Sequence, residues 1–151
     1  MAVKFFYISI AVTWLIFLVC AVKKKLALKH ILIGITAMGY SLLYETVLGE
    51  YTGLYYYINK ENSLLYIILS AVLLYSEIEV IYTLFLPENI SAAVYYTVAW
   101  IALMLVFELA SFYTGTVVLT GWKVVPWSIV TYLFTFLWIN LLFRLLNKRG
   151  L

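Results

Sequence analysis

Five apolar runs of roughly 20 residues set the limits on this chain, because that length lets an α-helix cross the hydrocarbon core of a bilayer. They cover about residues 5–22, 31–51, 64–86, 91–113 and 124–146, and the second has the pattern to continue helically through Tyr57. Lys23-Lys24-Lys25 and Lys29-His30 end the first run, Asn59-Lys60-Glu61-Asn62-Ser63 the second, and Pro87-Glu88-Asn89 the third. Proline lacks the amide hydrogen that continues a helix, and Asn89 or Ser91 supplies a cap for the next one. Pro126 falls in the first turn of the fifth run, where proline is tolerated. The runs are too long and alternate too little for barrel strands. The expected fold is all-α: a polytopic membrane helical bundle of five transmembrane helices, forming a single domain over residues 1–151.

Composition closes off the alternatives. Hydrophobic residues make up 66% of the chain and charged residues 11%, against about 25% charged in soluble domains. The net charge of +3 is accounted for by topology and gives no case for nucleic acid as a partner. The single cysteine, Cys20, can form neither an internal disulfide nor a metal cluster. Phe17-Leu18-Val19-Cys20 lacks the small residue of a lipoprotein site, and the positive charge follows the first run instead of preceding it, which argues against a cleaved signal peptide.

Lysine and arginine counts orient the bundle. With five spans, the first loop, the third loop and the C-terminus share one side and carry seven of them, against Lys4, Lys60 and Lys123 on the other. The positive-inside rule then puts the N-terminus outside and the C-terminus in the cytoplasm. Tyr51, Tyr55, Tyr56 and Tyr57 are expected to form an outer aromatic belt, level with Trp122 and Trp127.

The acids carry the functional signal. All seven are glutamate, and five of them, Glu45, Glu50, Glu77, Glu79 and Glu108, lie within the runs or at their outer ends. An ionisable group in hydrocarbon costs roughly 2–3 kcal/mol at the centre of a span and usually marks function. Helix rise places Glu45 and Glu108 in the outer third of their spans, where they meet if the second and fourth helices are neighbours. Glu50 belongs in the outer interface. Glu77 and Glu79 are two residues apart, about 200° around a helix, so they point opposite ways. Glu79 shares its face with Tyr75, Tyr82 and Thr83, while Glu77 needs a partner of its own.

No Lys or Arg lies mid-span to neutralise these groups. Carboxyls of this kind suit proton binding or an incoming cation, with Tyr and Trp faces available for cation–π contact. The plainer reading is a neutral Glu hydrogen-bonded across helices to Tyr, Thr or Asn140. His30, beside Lys29 at a span edge, reads as an interfacial residue. Gly34, Ala37, Gly39 and Ser41 offer a small-residue face for close helix contact.

Two segments echo each other. Tyr44-Glu45, five residues, then Tyr51-Thr52-Gly53 matches Phe107-Glu108, four residues, then Tyr113-Thr114-Gly115. Both fall at the outer ends of helices running the same way. A unit of helix, outer loop and helix, occurring twice after the first span, would place a site between parallel halves. The second segment, continuing to Gly121-Trp122 and the aromatic last run, also resembles an uncharacterised family of small multi-pass membrane proteins from spore-forming Gram-positive bacteria. That resemblance covers about 60 residues and implies a bacterial cytoplasmic membrane, without an assigned activity.

Four functions compete on these observations. The leading one is an integral membrane protein that binds a ligand or ion through Glu45, Glu108 and Glu79, with Glu77, Glu50, Tyr51, Tyr113 and Trp122 as further candidates. Membrane lipids are its expected surroundings, and a homo-oligomer or a larger membrane-protein partner would help bury polar faces. A proton-coupled exporter of cationic compounds is the second. It resembles small multidrug transporters in size and in its membrane glutamates, although those have four spans and their motifs are not visible here. An accessory subunit that pairs its acids with a partner's Lys or Arg is the third. An intramembrane acid–base enzyme has the least support, because no nucleophile, metal or phosphate-loop motif accompanies the acids. No cofactor is expected.

Overall fold

The computed structural model describes residues 1–150. Five helices are long and apolar enough to cross a membrane: α1 (Ala2–Lys24), α2 (Leu28–Tyr51), α3 (Lys60–Leu84), α4 (Ile90–Tyr113) and α5 (Val124–Lys148). Their ends follow the polar breaks of the sequence. Asn89 caps α4 as expected, its Oδ1 accepting the amide of Ala92 at 3.1 Å.

One expectation fails at the end of α2. The helix does not run on to Tyr57. Gly53 adopts φ +67°, a left-handed conformation that only glycine takes at little cost, and the chain turns back. Tyr55–Tyr57 then form β1, which pairs antiparallel with β2 (Val117–Leu119). The bundle is therefore not purely helical; a short ribbon closes one end. Strand alternation sends neighbouring residues to opposite faces. Tyr55 and Tyr57 point into the protein and are buried, while Tyr56 stays partly exposed. The expected aromatic belt is thus broken up: Tyr51 and Trp127 are exposed, at 89% and 54%, while Tyr55 and Tyr57 are buried.

α3 is the axis of the molecule. In its most apolar stretch 56% of residues are buried, against 6–22% in the other four helices. α1 and α2 pack on it directly, and α5 packs against α2, α3 and α4. Every residue from Ser76 to Thr83 is buried. That full enclosure explains how Glu77 and Glu79 can point opposite ways and both be covered. Gly34 sets the α2–α3 contact, since a Cβ there would meet Val80 Cγ2 at 3.2 Å. Ala37 and Ser41 continue that face, but Gly39 looks into open space.

The end opposite the ribbon gathers the basic residues. Lys24 lies over the Phe85 ring at 5.1 Å, and Lys29 donates to Asn147 Oδ1 at 2.5 Å. His30 is buried within the protein. Its Nδ1 accepts the Ala27 amide at 3.0 Å, so it caps α2, and its ring lies 5.6 Å from that of Phe143.

Candidate functional site: a three-glutamate chamber

Glu45 on α2, Glu79 on α3 and Glu108 on α4 line one cavity of about 110 Å³ between the helices, beneath the ribbon. α5 closes the fourth side. α2 and α4 both lean on α5, and their acids face each other across the chamber without close helix contact.

Each acid is held differently. Glu45 Oε2 accepts the Tyr55 hydroxyl at 3.0 Å. Glu108 Oε1 accepts the Ser128 hydroxyl at 2.7 Å, and Ser128 Oγ in turn accepts the Trp122 indole N–H at 2.9 Å. Glu79 is 6% exposed, and its Oε2 is buried with no hydrogen-bond partner. Glu108 Oε2 is likewise unpartnered. Buried polar atoms are nearly always satisfied, so two orphan carboxylate oxygens in one cavity need a reason.

Among the described residues no cation is hydrogen-bonded to these oxygens. The Arg144 guanidinium is engaged elsewhere, through three of its five N–H groups. Nε donates to Asn140 Oδ1 at 2.6 Å, Nη1 to the Glu88 carbonyl at 3.0 Å and Nη2 to the Pro87 carbonyl at 3.0 Å. Lys123 is exposed at the ribbon end. Asn140, expected as a Glu partner, instead bridges Arg144 and the Tyr82 hydroxyl, the latter at 3.4 Å.

Aromatic side chains make up much of the wall. The Tyr57 and Tyr75 hydroxyls hydrogen-bond at 3.1 Å. The Tyr55 ring meets Trp122 edge to face at 6.0 Å. Burial pushes the phenols of Tyr55 and Tyr57 above their ordinary pKa, with neighbouring Glu45 adding to the effect. Tyr55 donates to Glu45, and either hydroxyl of the Tyr57–Tyr75 pair can donate. The chamber has room for several waters or a small ligand head, with acceptor oxygens on three sides and π faces between them.

The other sequence candidates lie elsewhere. Glu50, Tyr51 and Tyr113 are exposed outside the chamber, Tyr51 by 89% and Tyr113 by 82%. Glu77 faces a separate groove between α1 and α2 and accepts the Ser76 hydroxyl at 2.8 Å. Trp122 does line the chamber. Missing from the sequence expectation were Tyr55, Tyr57, Tyr132 and Ser128. For the first two, the unbroken Tyr55-Tyr56-Tyr57 run offers no alternation to read, and it is the strand that buries the first and third. Ser128 sits 20 residues from Glu108, and nothing in its local sequence marks it.

The two echoed segments share local geometry. Gly53 and Gly115 both take positive φ, at 67° and 75°, and each is followed two residues later by a strand. The strands pair symmetrically about Tyr56↔Val118. The first copy has one more residue between its Glu and its Tyr-Thr-Gly, and α2 absorbs it as a π-helical turn, Thr46–Tyr51. The Thr52 amide accordingly bonds back five residues to Val47 O at 2.9 Å, where its counterpart Thr114 bonds back four to Ala110 O at 3.0 Å. A π-turn is a one-residue insertion within a helix, frequent at functional sites.

Set against known proteins, the chain matches no family model, no curated protein and no solved structure.

Proposed function

We propose that this is a multi-pass membrane protein, N-terminus outside and C-terminus in the cytoplasm, whose three-glutamate chamber binds a cationic ligand or ion. The observation that carries the reading is the pair of unpartnered oxygens, Glu79 Oε2 and Glu108 Oε2, in one aromatic cavity with no Lys or Arg among its hydrogen-bond partners. A purely structural glutamate would have its oxygens answered from within the bundle. Attraction between a cation and three acids, sharpened by low dielectric and by ring faces, fits the geometry. The basic end opposite the ribbon supports the orientation. The resemblance of Phe107-Glu108 through Gly121-Trp122 to proteins of spore-forming bacteria supports a bacterial cytoplasmic membrane.

Calorimetric titration of the purified protein with tetramethylammonium, Na⁺ and K⁺ tests this. Saturable binding of at least one is expected. Glu79→Gln should weaken it by at least about tenfold, since a buried charge pair loses one partner, while the variant keeps its fold. If none of the three cations binds, the reading is wrong.

A second reading has its own observation. Beyond Glu79, toward the basic end, the Tyr82 hydroxyl, Asn140 and Arg144 are joined by hydrogen bonds. Polar groups on both sides of Glu79 favour proton-coupled export of cationic compounds. In liposomes with an imposed pH gradient, export would require Glu79 and stop in Glu79→Gln. The accessory-subunit reading has less support, because the chamber acids face inward where a partner's side chains do not reach. Association into a homo-oligomer fits the sparsely buried α1, and cross-linking in native membranes checks it.

A further inference from the structure

Beside the chamber, α2 and α5 diverge to leave a second space of about 580 Å³, an apolar groove on the flank of the bundle. Its floor and sides are Leu48, Leu54, Trp127, Val130 and Phe134, and no carboxyl, amine or guanidinium lines it. Val130, Phe134 and Trp127 are more than half exposed, so the groove opens sideways, where a bilayer would meet it. Groove and chamber share a common wall of Tyr40, Tyr44, Trp122 and Thr131. That wall is one side chain thick. The Tyr40 and Tyr44 rings stack at 5.8 Å, Tyr44 meets Trp122 edge to face at 6.4 Å, and a hydroxyl–hydroxyl hydrogen bond from Tyr44 to Thr131 ties α2 to α5 across it.

The ribbon side of the chamber is braced by backbone hydrogen bonds. At the ribbon end the Leu54 carbonyl accepts the amides of Thr120, Gly121 and Trp122 at 2.9–3.0 Å, and Ile58 N bonds Thr116 O at 3.0 Å. Tyr55 and Tyr57, both buried, plug the space beneath.

We infer that the ligand is an amphiphilic organic monocation, an alkylammonium dissolved in the bilayer, whose head sits among Glu45, Glu79 and Glu108 and whose tail lies in the α2–α5 groove. The inference rests on the cation-binding reading of the chamber and adds its chemical class and route. Charge complementarity selects the head, and the uncharged groove continuous with the chamber wall selects the tail. Entry is lateral, by parting the Tyr44–Thr131 hydrogen bond, and the aromatic wall then closes around the chain next to the head.

The test uses the full chain in phosphatidylcholine nanodiscs, with empty discs as the baseline for partitioning. Octyltrimethylammonium should bind at least about tenfold more tightly than tetramethylammonium, as expected for a tail removed from water into an apolar site. Val130→Trp, which fills the groove, should bring that ratio to below about threefold through lost tail burial. A measurement on the unaltered chain guards against a variant that fails to fold: (8-bromooctyl)trimethylammonium should quench tryptophan emission beyond the empty-disc baseline, and Trp127→Phe should remove part of that quenching. Equal affinity for the two cations, or a preference untouched by Val130→Trp with no bromine quenching, overturns the inference and leaves the cation chamber standing. Failure of both cations to bind overturns the chamber as well.

Discussion

Glu79 presents an oxygen to the chamber that no group of the chain answers, whereas Glu45 and Glu108 are each steadied by one hydroxyl. This difference predicts unequal responses to substitution. Tyr55→Phe removes the donor to Glu45 and should lower stability by about 1 kcal/mol, the usual net value of one hydrogen bond. Ser128→Ala removes the donor to Glu108 and strands the Trp122 indole N–H, so its cost should be larger, about 1–3 kcal/mol. Thermal unfolding in detergent, followed by circular dichroism, ranks the two, and an equal or reversed order would contradict the geometry. Glu50→Gln, at an exposed position, should leave both stability and cation binding unchanged. The acids themselves were readable one by one from their place in apolar runs. Their partners were not, because Tyr55 reaches Glu45 by a chain reversal and Ser128 reaches Glu108 from another helix.

Among the elements, the π-turn Thr46–Tyr51 makes a mechanical prediction. Deleting Val47 within it should let α2 close as an ordinary α-helix with the spacing of the second unit. Glu45 and the ribbon then keep their places, and binding of tetramethylammonium survives within about threefold, as one-residue insertions in π-turns allow. Deleting Leu43 instead rotates Tyr44 and Glu45 by about 100° relative to the preceding turns and should abolish binding. Comparable binding by the two deletions would show that the turn is not an inserted residue. The five-against-four spacing was visible in the sequence. Its meaning was not, since a helix gains a π-turn only when packing on both sides holds the flanking residues in register. The same limit applied to Tyr55–Tyr57. The apolar pattern there suits a helix as well as a strand, and Gly53 together with pairing to distant Val117–Leu119 decides between them.

For the molecule as a whole, the ribbon joins the two echoed segments, and a cross-link checks it. Tyr56→Cys with Val118→Cys, the central pair, should form a disulfide readily on mild oxidation. Tyr56→Cys with Leu119→Cys should not, because adjacent strand residues face opposite sides. Electrophoretic mobility of a chain cleaved between the two cysteines reads the result. Orientation is tested separately. In intact cells Lys60→Cys should react with an impermeant maleimide and Lys148→Cys should not, as positive-inside orientation requires. The reverse pattern would invert the topology and put the ribbon in the cytoplasm.

Helix number, approximate helix ends and the identity of the acids were legible in the chain because each depends on local quantities: hydrophobic length, breaking residues and the cost of a charge in hydrocarbon. Which acids share a space depends on long-range packing. α3 had to become the enclosed axis before Glu77 and Glu79 could part company, one to the α1–α2 groove and the other to the chamber. No periodicity within a single helix encodes which neighbour covers which face. That choice belongs to the side chains of four helices meeting at once, and it is why three glutamates distant in sequence came together while Glu50, on the same helix as Glu45, stayed outside.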